Sequence, residues 1–511
     1  MMTRNTRTTG DSALNAARRA RELRALGDDP QVDVLVIGGG VTGAGAALDA
    51  AARGLRTVLV ERHDLAFGTS RWSSKLVHGG LRYLASGQVG IAHESAVERG
   101  ILMRRTAPHL VRPLPQLVPL LPQIRPSQRT LIRAGFVAGD ALRRSAGTPP
   151  ALLPRARRVA AAEALRLAPT VRRAGLRGGL QAWDGQLVDD ARLVVALART
   201  AAAAGATVLT RVEAIAVQGN SATLRDTLTG ATLDLRAGAV VNATGVWADT
   251  VDESIELRPS RGTHLVFDAA AFGGLTASLT VPVPGSISRF VFALPAPHGR
   301  VYLGLTDEDA PGPIPDEPKP SESEIDFLLD TINQALREPL TRGDIRGSFA
   351  GLRPLLKTAE DSTADISRKH AVLHSPSGII TIVGGKLTTY RRMAEDAIDA
   401  AVARVGIAAG PCRTRRLPLV GAVSGAARDR LAIPPLLIER YGSAASVVLS
   451  ADPSSREPVA PGIDVTAAEF AYGISHEGAL TPEDLLDRRT RIGLVAEDRA
   501  AALPAAEKLF D

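Results

Sequence analysis

The hydrophobic pattern begins at residues 31–40, QVDVLVIGGG, an apolar β-branched run that stops at three glycines. A run without polar alternation predicts a strand buried on both faces, as in a parallel sheet, and the glycines predict a tight turn after it. Residues 42–53 are mostly alanine and glycine with Leu48, and Gly54 follows them. This predicts a helix closed by a glycine C-cap. Residues 56–62, RTVLVER, repeat the buried-strand pattern and carry Glu61 near their end. A β-α-β unit of this length predicts a doubly wound α/β domain. The stretches 207–212 (TVLTRV), 239–244 (AVVNAT) and 378–383 (GIITIV) predict further strands of the same sheet.

Elsewhere the period changes. Residues 261–268, 289–294 and 300–306 are short and alternating, and 295–299 joins the last two as a hairpin loop. They predict an antiparallel sheet inserted into the α/β domain. Residues 310–320, APGPIPDEPKP, read as a proline-rich surface loop, and 321–336 as an amphipathic helix. After about residue 406 only helical patterns remain, for example 465–473 and 482–489, and 11–26 predicts a short surface helix. The expected organisation is an arm at 1–30 and a discontinuous dinucleotide-binding domain at 31–105, 155–260 and 346–405. A basic segment at 106–154, an antiparallel cap domain at 261–345 and a helical C-terminal domain at 406–511 complete it.

Composition narrows the class. The 511 residues are 45% hydrophobic, which excludes disorder over most of the chain. No apolar run is long enough for a spanning helix. The single cysteine, Cys412, excludes an intrachain disulfide and a cysteine-ligated zinc, and no metal site is expected. Cysteine scarcity fits a reducing cytosol, and the first 30 residues lack the apolar core of a secretory signal. The net charge is +7, and eight arginines crowd into 104–144 with Asp140 as the one acid there. Such a field attracts phosphate, nucleic acid or an acidic leaflet. Phe136 is the only aromatic in that stretch, so base stacking is unsupported and nucleic acid is not an expected partner.

The sharpest local signal is Gly38-Gly39-Gly40-Val41-Thr42-Gly43, a G-x-G-x-x-G between strand and helix, with Glu61 lying 23 positions after Gly38. Gly38 permits the turn, Gly40 lets backbone approach a pyrophosphate at the helix N-terminus, and Gly43 allows close helix–strand packing. Glu61 suits ribose hydroxyls and repels a 2′-phosphate. The motif does not separate FAD from NAD. A late strand ending Ala243-Thr244-Gly245 and a second glycine turn opening a helix at 384–390, GGKLTTY, suit a flavin, because a helix N-terminus stabilises the negative charge of the reduced ring.

Residues 68–84, GTSRWSSKLVHGGLRYL, together with this fingerprint, resemble the bacterial aerobic FAD-dependent glycerol-3-phosphate dehydrogenases. Further matches are VVNATGVWAD at 240–249, RGTHLVF at 261–267, AGLRPL at 350–355, VGGKLTTYRRMAEDA at 383–397 and HEGALTPEDLLDRRTRIGL at 476–494. The resemblance implies a Rossmann-like FAD domain of the glycine/D-amino-acid oxidase type with an antiparallel-sheet substrate domain, an α/β fold with an α+β insert, and a helical C-terminal domain. It implies oxidation of sn-glycerol 3-phosphate to dihydroxyacetone phosphate by hydride transfer to FAD, with electrons passed to a membrane quinone. A cytoplasmic protein, peripheral on an anionic membrane surface, follows from the quinone, and a homodimer accords with the family. Two departures stand out. Arg71-Trp72 replace small residues, and Gly304-Leu305-Thr306-Asp307 replaces Gly-Thr-Thr-Asp.

Carried over motif by motif, the resemblance places Arg82, Tyr83, Arg353, Arg368 and Lys386 around the substrate, with Tyr83 at the flavin edge. Arg82, Arg353 and Lys386 join His264 as the catalytic set. His264 is the expected base, with His78 as its rival. FAD contacts are expected from Gly38, Gly40, Gly43, Glu61, Thr69, Ser70, Ser74, Lys75, His78, Gly79 and Gly80. Val212, Ala243, Gly245, Gly384, Gly385, Lys386 and Leu387 are expected to complete them. Membrane contact is expected from the 104–144 arginines, including Arg125, Arg129 and Arg133, with Leu117, Leu120 and Leu121 entering between headgroups. The alternatives are the sister oxidase, which reduces O2 to H2O2, an NAD-linked dehydrogenase, and a non-enzymatic basic anion-binding module.

Overall fold

A computed structural model describes residues 11–80, 88–286, 289–357, 369–406, 408–451 and 456–510. Its first layer is a sheet ordered Ala371–His374, Ile380–Val383, Thr232–Asn242, Gln31–Ile37, Thr57–Glu61, Thr207–Thr210. The four strands around Gln31–Ile37 run parallel to it or to one another, with Leu35 opposite both Val240 and Val58. Val34, Leu35 and Val36 are at most 1% exposed, which explains the unbroken apolar run: both faces are covered. One face carries the helices Val41–Ala52, Asp190–Ala203 and Tyr390–Val405. The small residues of Val41–Ala52 let its neighbours close in, and a Cβ at Gly45 would already touch the Tyr390 ring at 3.0 Å. The hairpin Val212–Gln218/Ser221–Asp226 and the helix Ala16–Asp28 cover the other face.

The second sheet has ten strands and is wider than the cap expected at 261–345. Ser260–Asp268 lies between Arg300–Gly304 and Ile345–Arg353, and the sheet extends through Phe290–Ala296 and Ser278–Pro282 to Val111–Pro119 and Gly179–Leu187. Its core is closed by the helix Glu322–Asn333, whose start is fixed by a reciprocal Ser321/Glu324 capping box.

The basic segment 106–154 is not one membrane-facing unit. Val111–Pro119 pairs antiparallel with Gly179–Leu187 along its whole length, and Leu117, Leu120 and Leu121 are buried. These leucines belong to the core of the second sheet and its border, so they do not enter a lipid surface. Prolines are tolerated in this strand because its other neighbour pairs with it only at Gln116 and Leu117. The outward part is the helix Pro126–Ser145, on which Leu131 and Val137 are exposed, with Arg133 and Arg144 beside them.

Beyond residue 406 the described chain is helical, with Pro435–Tyr441, Ala467–His476 and Ala496–Glu507 around small cores of their own. Buried ion pairs join it to the first layer: Arg192 with Glu477 at 2.5 Å, and Arg489 with Asp64 at 2.8 Å. No helix among the described residues is long and apolar enough to cross a membrane.

Candidate active site

The carboxyl ends of Gln31–Ile37, Thr57–Glu61, Thr232–Asn242 and Ile380–Val383 open into one cavity of about 1060 Å³, floored by the first sheet and walled by the second. Strands leave Gln31–Ile37 in opposite directions, so the cavity lies at a topological switch point, where open α/β sheets bind ligands.

The fingerprint sits on its floor. A Cβ at Gly43 would lie 1.9 Å from the Gly38 carbonyl oxygen, so helix and strand could not close with a larger residue. A Cβ at Gly40 would meet only Ser70 Oγ, at 3.1 Å, and Gly40 lines the cavity. Glycine is thus required at 43 by packing, whereas at 40 it is crowded only by Ser70 Oγ and faces the cavity. The Gly39 N–H donates to Glu61 Oε2 at 2.6 Å and the His63 N–H to Oε1 at 2.8 Å. Burial pushes the Glu61 carboxyl up, opposed by these two donors. Each oxygen keeps a lone pair for a ribose hydroxyl. The Val41 N–H donates to Ser70 Oγ at 2.9 Å, which ties the segment after Glu61 to the first turn of the helix.

The second glycine turn faces the same cavity. Gly384 and Gly385 have φ of 75° and 70°, and a Cβ at Gly385 would strike Met393 Sδ at 2.5 Å. The turn leads into Leu387–Thr389 and the helix Tyr390–Val405. Lys386 caps this start, and its ammonium donates to Ser95 Oγ at 2.7 Å. These features fit a dinucleotide with a flavin: two helix N-termini, a glycine facing the cavity, and an acid beside it.

The second sheet contributes His264 and Arg353. His264 pairs with Phe349 across the strands, and their rings stack at 4.7 Å. The ring rests on Gly304, where a Cβ would lie 2.3 Å from His264 Cδ2. Nε2 shares a hydrogen bond with Ser74 Oγ at 2.9 Å. Burial, then the Lys75 and Arg353 cations, hold His264 well below its ordinary pKa, so its ring is neutral. Arg353 is fixed by Ser260 Oγ at 2.9 Å, Asp307 at 3.0 Å and the Thr306 carbonyl at 3.1 Å. Both line the cavity with Lys386.

The cavity therefore collects Gly38, Gly40, Glu61, Thr69, Ser70, Ser74, His78, Val212, Ala243, Gly245, Gly384, Gly385, Lys386 and Leu387 with His264 and Arg353. Four of the residues read from the sequence stand outside its wall. Gly43 packs behind the fingerprint. The Lys75 side chain is turned into the protein, its ammonium 3.1 Å from Asp190 and 3.0 Å from the Arg71 carbonyl. The Gly79 N–H donates to Asp184 at 2.9 Å, and the Gly80 N–H to His78 Nδ1 at 3.2 Å. Arg82, Tyr83 and Arg368 lie outside the described residues.

Sequence reasoning missed several wall residues. Asp307 belongs to the Gly-Leu-Thr-Asp turn and fastens Arg353. Trp247, in VVNATGVWAD, requires Gly68, where a Cβ would lie 2.7 Å from its ring. The cavity wall also includes the apolar residues Leu131, Ile132, Phe136, Phe290 and Phe292, from segments distant in the chain.

Comparison with known proteins agrees with this geometry. Residues 33–391 match the family model described as FAD dependent oxidoreductase, and 412–511 match the C-terminal domain of alpha-glycerophosphate oxidase. Glycerol-3-phosphate dehydrogenase 1 of Mycobacterium tuberculosis is 60% identical over 98% of both chains. A mitochondrial glycerol-3-phosphate dehydrogenase of Arabidopsis thaliana is 36% identical over 95% of this chain and 83% of its own. The crystal structure of glycerol-3-phosphate dehydrogenase from Bacillus halodurans complexed with FAD superposes with a TM-score of 0.73 at 29% identity, covering 97% of this chain and 94% of that one.

Proposed function

The chain belongs to the FAD-dependent glycerol-3-phosphate dehydrogenases, and we propose that it oxidises sn-glycerol 3-phosphate to dihydroxyacetone phosphate and passes the electrons to a membrane quinone. The observation that carries this reading is the shared cavity: a dinucleotide floor, a neutral histidine and two cations open into one space. Bound FAD supplies the hydride acceptor. Gly40 and the N-terminus of Val41–Ala52 hold its pyrophosphate, and Glu61 holds its ribose. Arg353 and Lys386 attract the substrate phosphate, a dianion that needs more than one cation. His264 takes the hydroxyl proton at Nε2, trading its bond to Ser74 for the substrate. Its low pKa keeps that lone pair available at neutral pH.

The apolar wall residues Leu131, Ile132, Phe136, Phe290 and Phe292 support quinone as acceptor, since an isoprenoid-bearing ring needs apolar contacts and oxygen does not. Several of the cavity-lining residues lie on the helix Pro126–Ser145. Its exposed Leu131 and Val137, with Arg125, Arg129 and Arg133 nearby, support a peripheral position on an anionic leaflet at the cytoplasmic face.

One anaerobic experiment tests these assignments. Glycerol 3-phosphate should bleach the visible flavin band of the holoenzyme, and quinone carried in anionic vesicles should restore it. Restoration should slow at high salt and when Arg125, Arg129 and Arg133 are changed to glutamine. No bleaching would overturn the substrate. Recovery with oxygen alone, at a rate quinone does not match, would assign the sister oxidase activity.

A further inference from the structure

Among the described residues, nothing beyond Met393 lines the cavity, yet the C-terminal domain grips one segment of its wall. Three arginines of one turn do this. Arg489 makes two bonds of 2.8 Å to the carboxylate of Asp64, and Arg488 Nε donates to the same group at 2.6 Å. Arg491 Nη2 donates to the Arg71 carbonyl at 2.7 Å, and its guanidinium lies 4.9 Å from the centre of the Trp72 ring. The gripped stretch, 64–72, includes Phe67, Gly68, Thr69, Ser70 and Trp72, all on the cavity wall. It is also the stretch whose Ser70 Oγ accepts from the first N–H of the fingerprint helix.

The grip is built rather than incidental. Asp64 is fully buried. Burial alone would raise its carboxyl, but Arg489 and Arg488 overcome this and hold it far below the usual range. Arg491 takes a left-handed backbone, φ 63°, which a non-glycine residue adopts only where its surroundings hold it there. The next turn, Ile492–Leu494, presses on the strand that carries Arg353, since a Cβ at Gly347 would lie 2.1 Å from the Leu494 carbonyl oxygen.

We propose that Arg488, Arg489 and Arg491 are positioning residues for FAD: the C-terminal domain holds segment 64–72 in the shape that receives the cofactor, without touching the cofactor itself. The inference rests on reading the glycine fingerprint as the FAD site. A segment with two arrangements binds ligand more weakly by the fraction of time it spends in the wrong one.

The test measures FAD release on dilution of the holoenzyme, by flavin fluorescence, together with the thermal midpoint followed by tryptophan fluorescence. Arg491→Met should weaken FAD binding at least about threefold and alter the fine structure of the bound flavin band. Arg491→Lys, which keeps the charge and loses the fork, should lie between it and the parent. Arg199→Met is the control. Arg199 binds Tyr472 Oη at 2.6 Å in the same domain interface but away from segment 64–72, so it should lower the midpoint and leave FAD affinity unchanged. If Arg491→Met does not fold, Arg491→Lys carries the same comparison. Unchanged FAD affinity in the Arg491 variants, or an equal loss in Arg199→Met, overturns the proposal. Gly40→Val separates the two levels: retention of FAD there would refute the fingerprint reading itself.

Discussion

At the scale of single residues, the candidate site depends on how each polar group is backed. His264 has Ser74 on Nε2, while Nδ1 is buried without a hydrogen-bond partner among the described residues. A proton accepted at Nε2 meets two nearby cations, Lys75 and Arg353, so the imidazolium is disfavoured until an anionic substrate enters. His264→Gln should retain FAD, because the ring contacts protein groups of the second sheet and Ser74. It should lose kcat by a factor of about 10² to 10⁴, the usual value of a positioned base. In the parent, the acid limb of kcat/KM should lie below the ordinary histidine pKa of about 6.5. A single ionisation near 6.5 that persists in His264→Gln would remove this residue from the role.

At the scale of elements, the fingerprint separates into two tasks that a motif match treats as one. Gly43 is closed in by the Gly38 carbonyl, whereas Gly40 faces the cavity with only Ser70 Oγ near. Gly43→Val should therefore destabilise the domain itself. Gly40→Val should fold and purify without flavin, because the added methyls occupy the path of the pyrophosphate. Circular dichroism and the visible spectrum distinguish the outcomes, and a colourless, unfolded Gly40→Val would refute the division. Element by element, the α/β core was legible because its runs are buried on both faces and need only local pattern to be recognised. Val111–Pro119 was not. Its prolines and flanking arginines mimic a surface segment, and its pairing partners lie 60 to 76 residues downstream.

At the scale of the whole molecule, the helical domain and the α/β core share buried charge. His109 sits at that seam, 3% exposed, against Gly421 and Gly442. Burial pushes it down to about 3, helped by the Arg192 and Arg428 cations. The folded protein keeps it neutral where the unfolded chain, near 6.5, takes up a proton. Stability is therefore full above about 6.5 and falls as pH drops toward about 3, by about 2 kcal/mol at pH 5 from this group alone. His264 acts in the same direction. The drop in thermal midpoint from pH 7 to pH 5 should be smaller in His109→Gln than in the parent, and equal drops would exclude the seam histidine as a cause.

What the sequence determined by itself was whatever short-range pattern dictates: the β-α-β start, the two glycine turns that open helices, the capped helix after Ser321, and the helical character beyond 406. It also marked Gly40, Glu61, Arg353 and Lys386, residues that line the cavity. The tertiary structure alone decided where long side chains end. Lys75 turns to Asp190, Asp307 clamps Arg353, and Arg491 reaches across 420 positions to the Arg71 carbonyl. The reason is physical. Backbone geometry follows from neighbours within a few residues, but a flexible charged side chain goes to whichever buried partner the folded chain brings within hydrogen-bond reach, and local pattern holds no record of that partner.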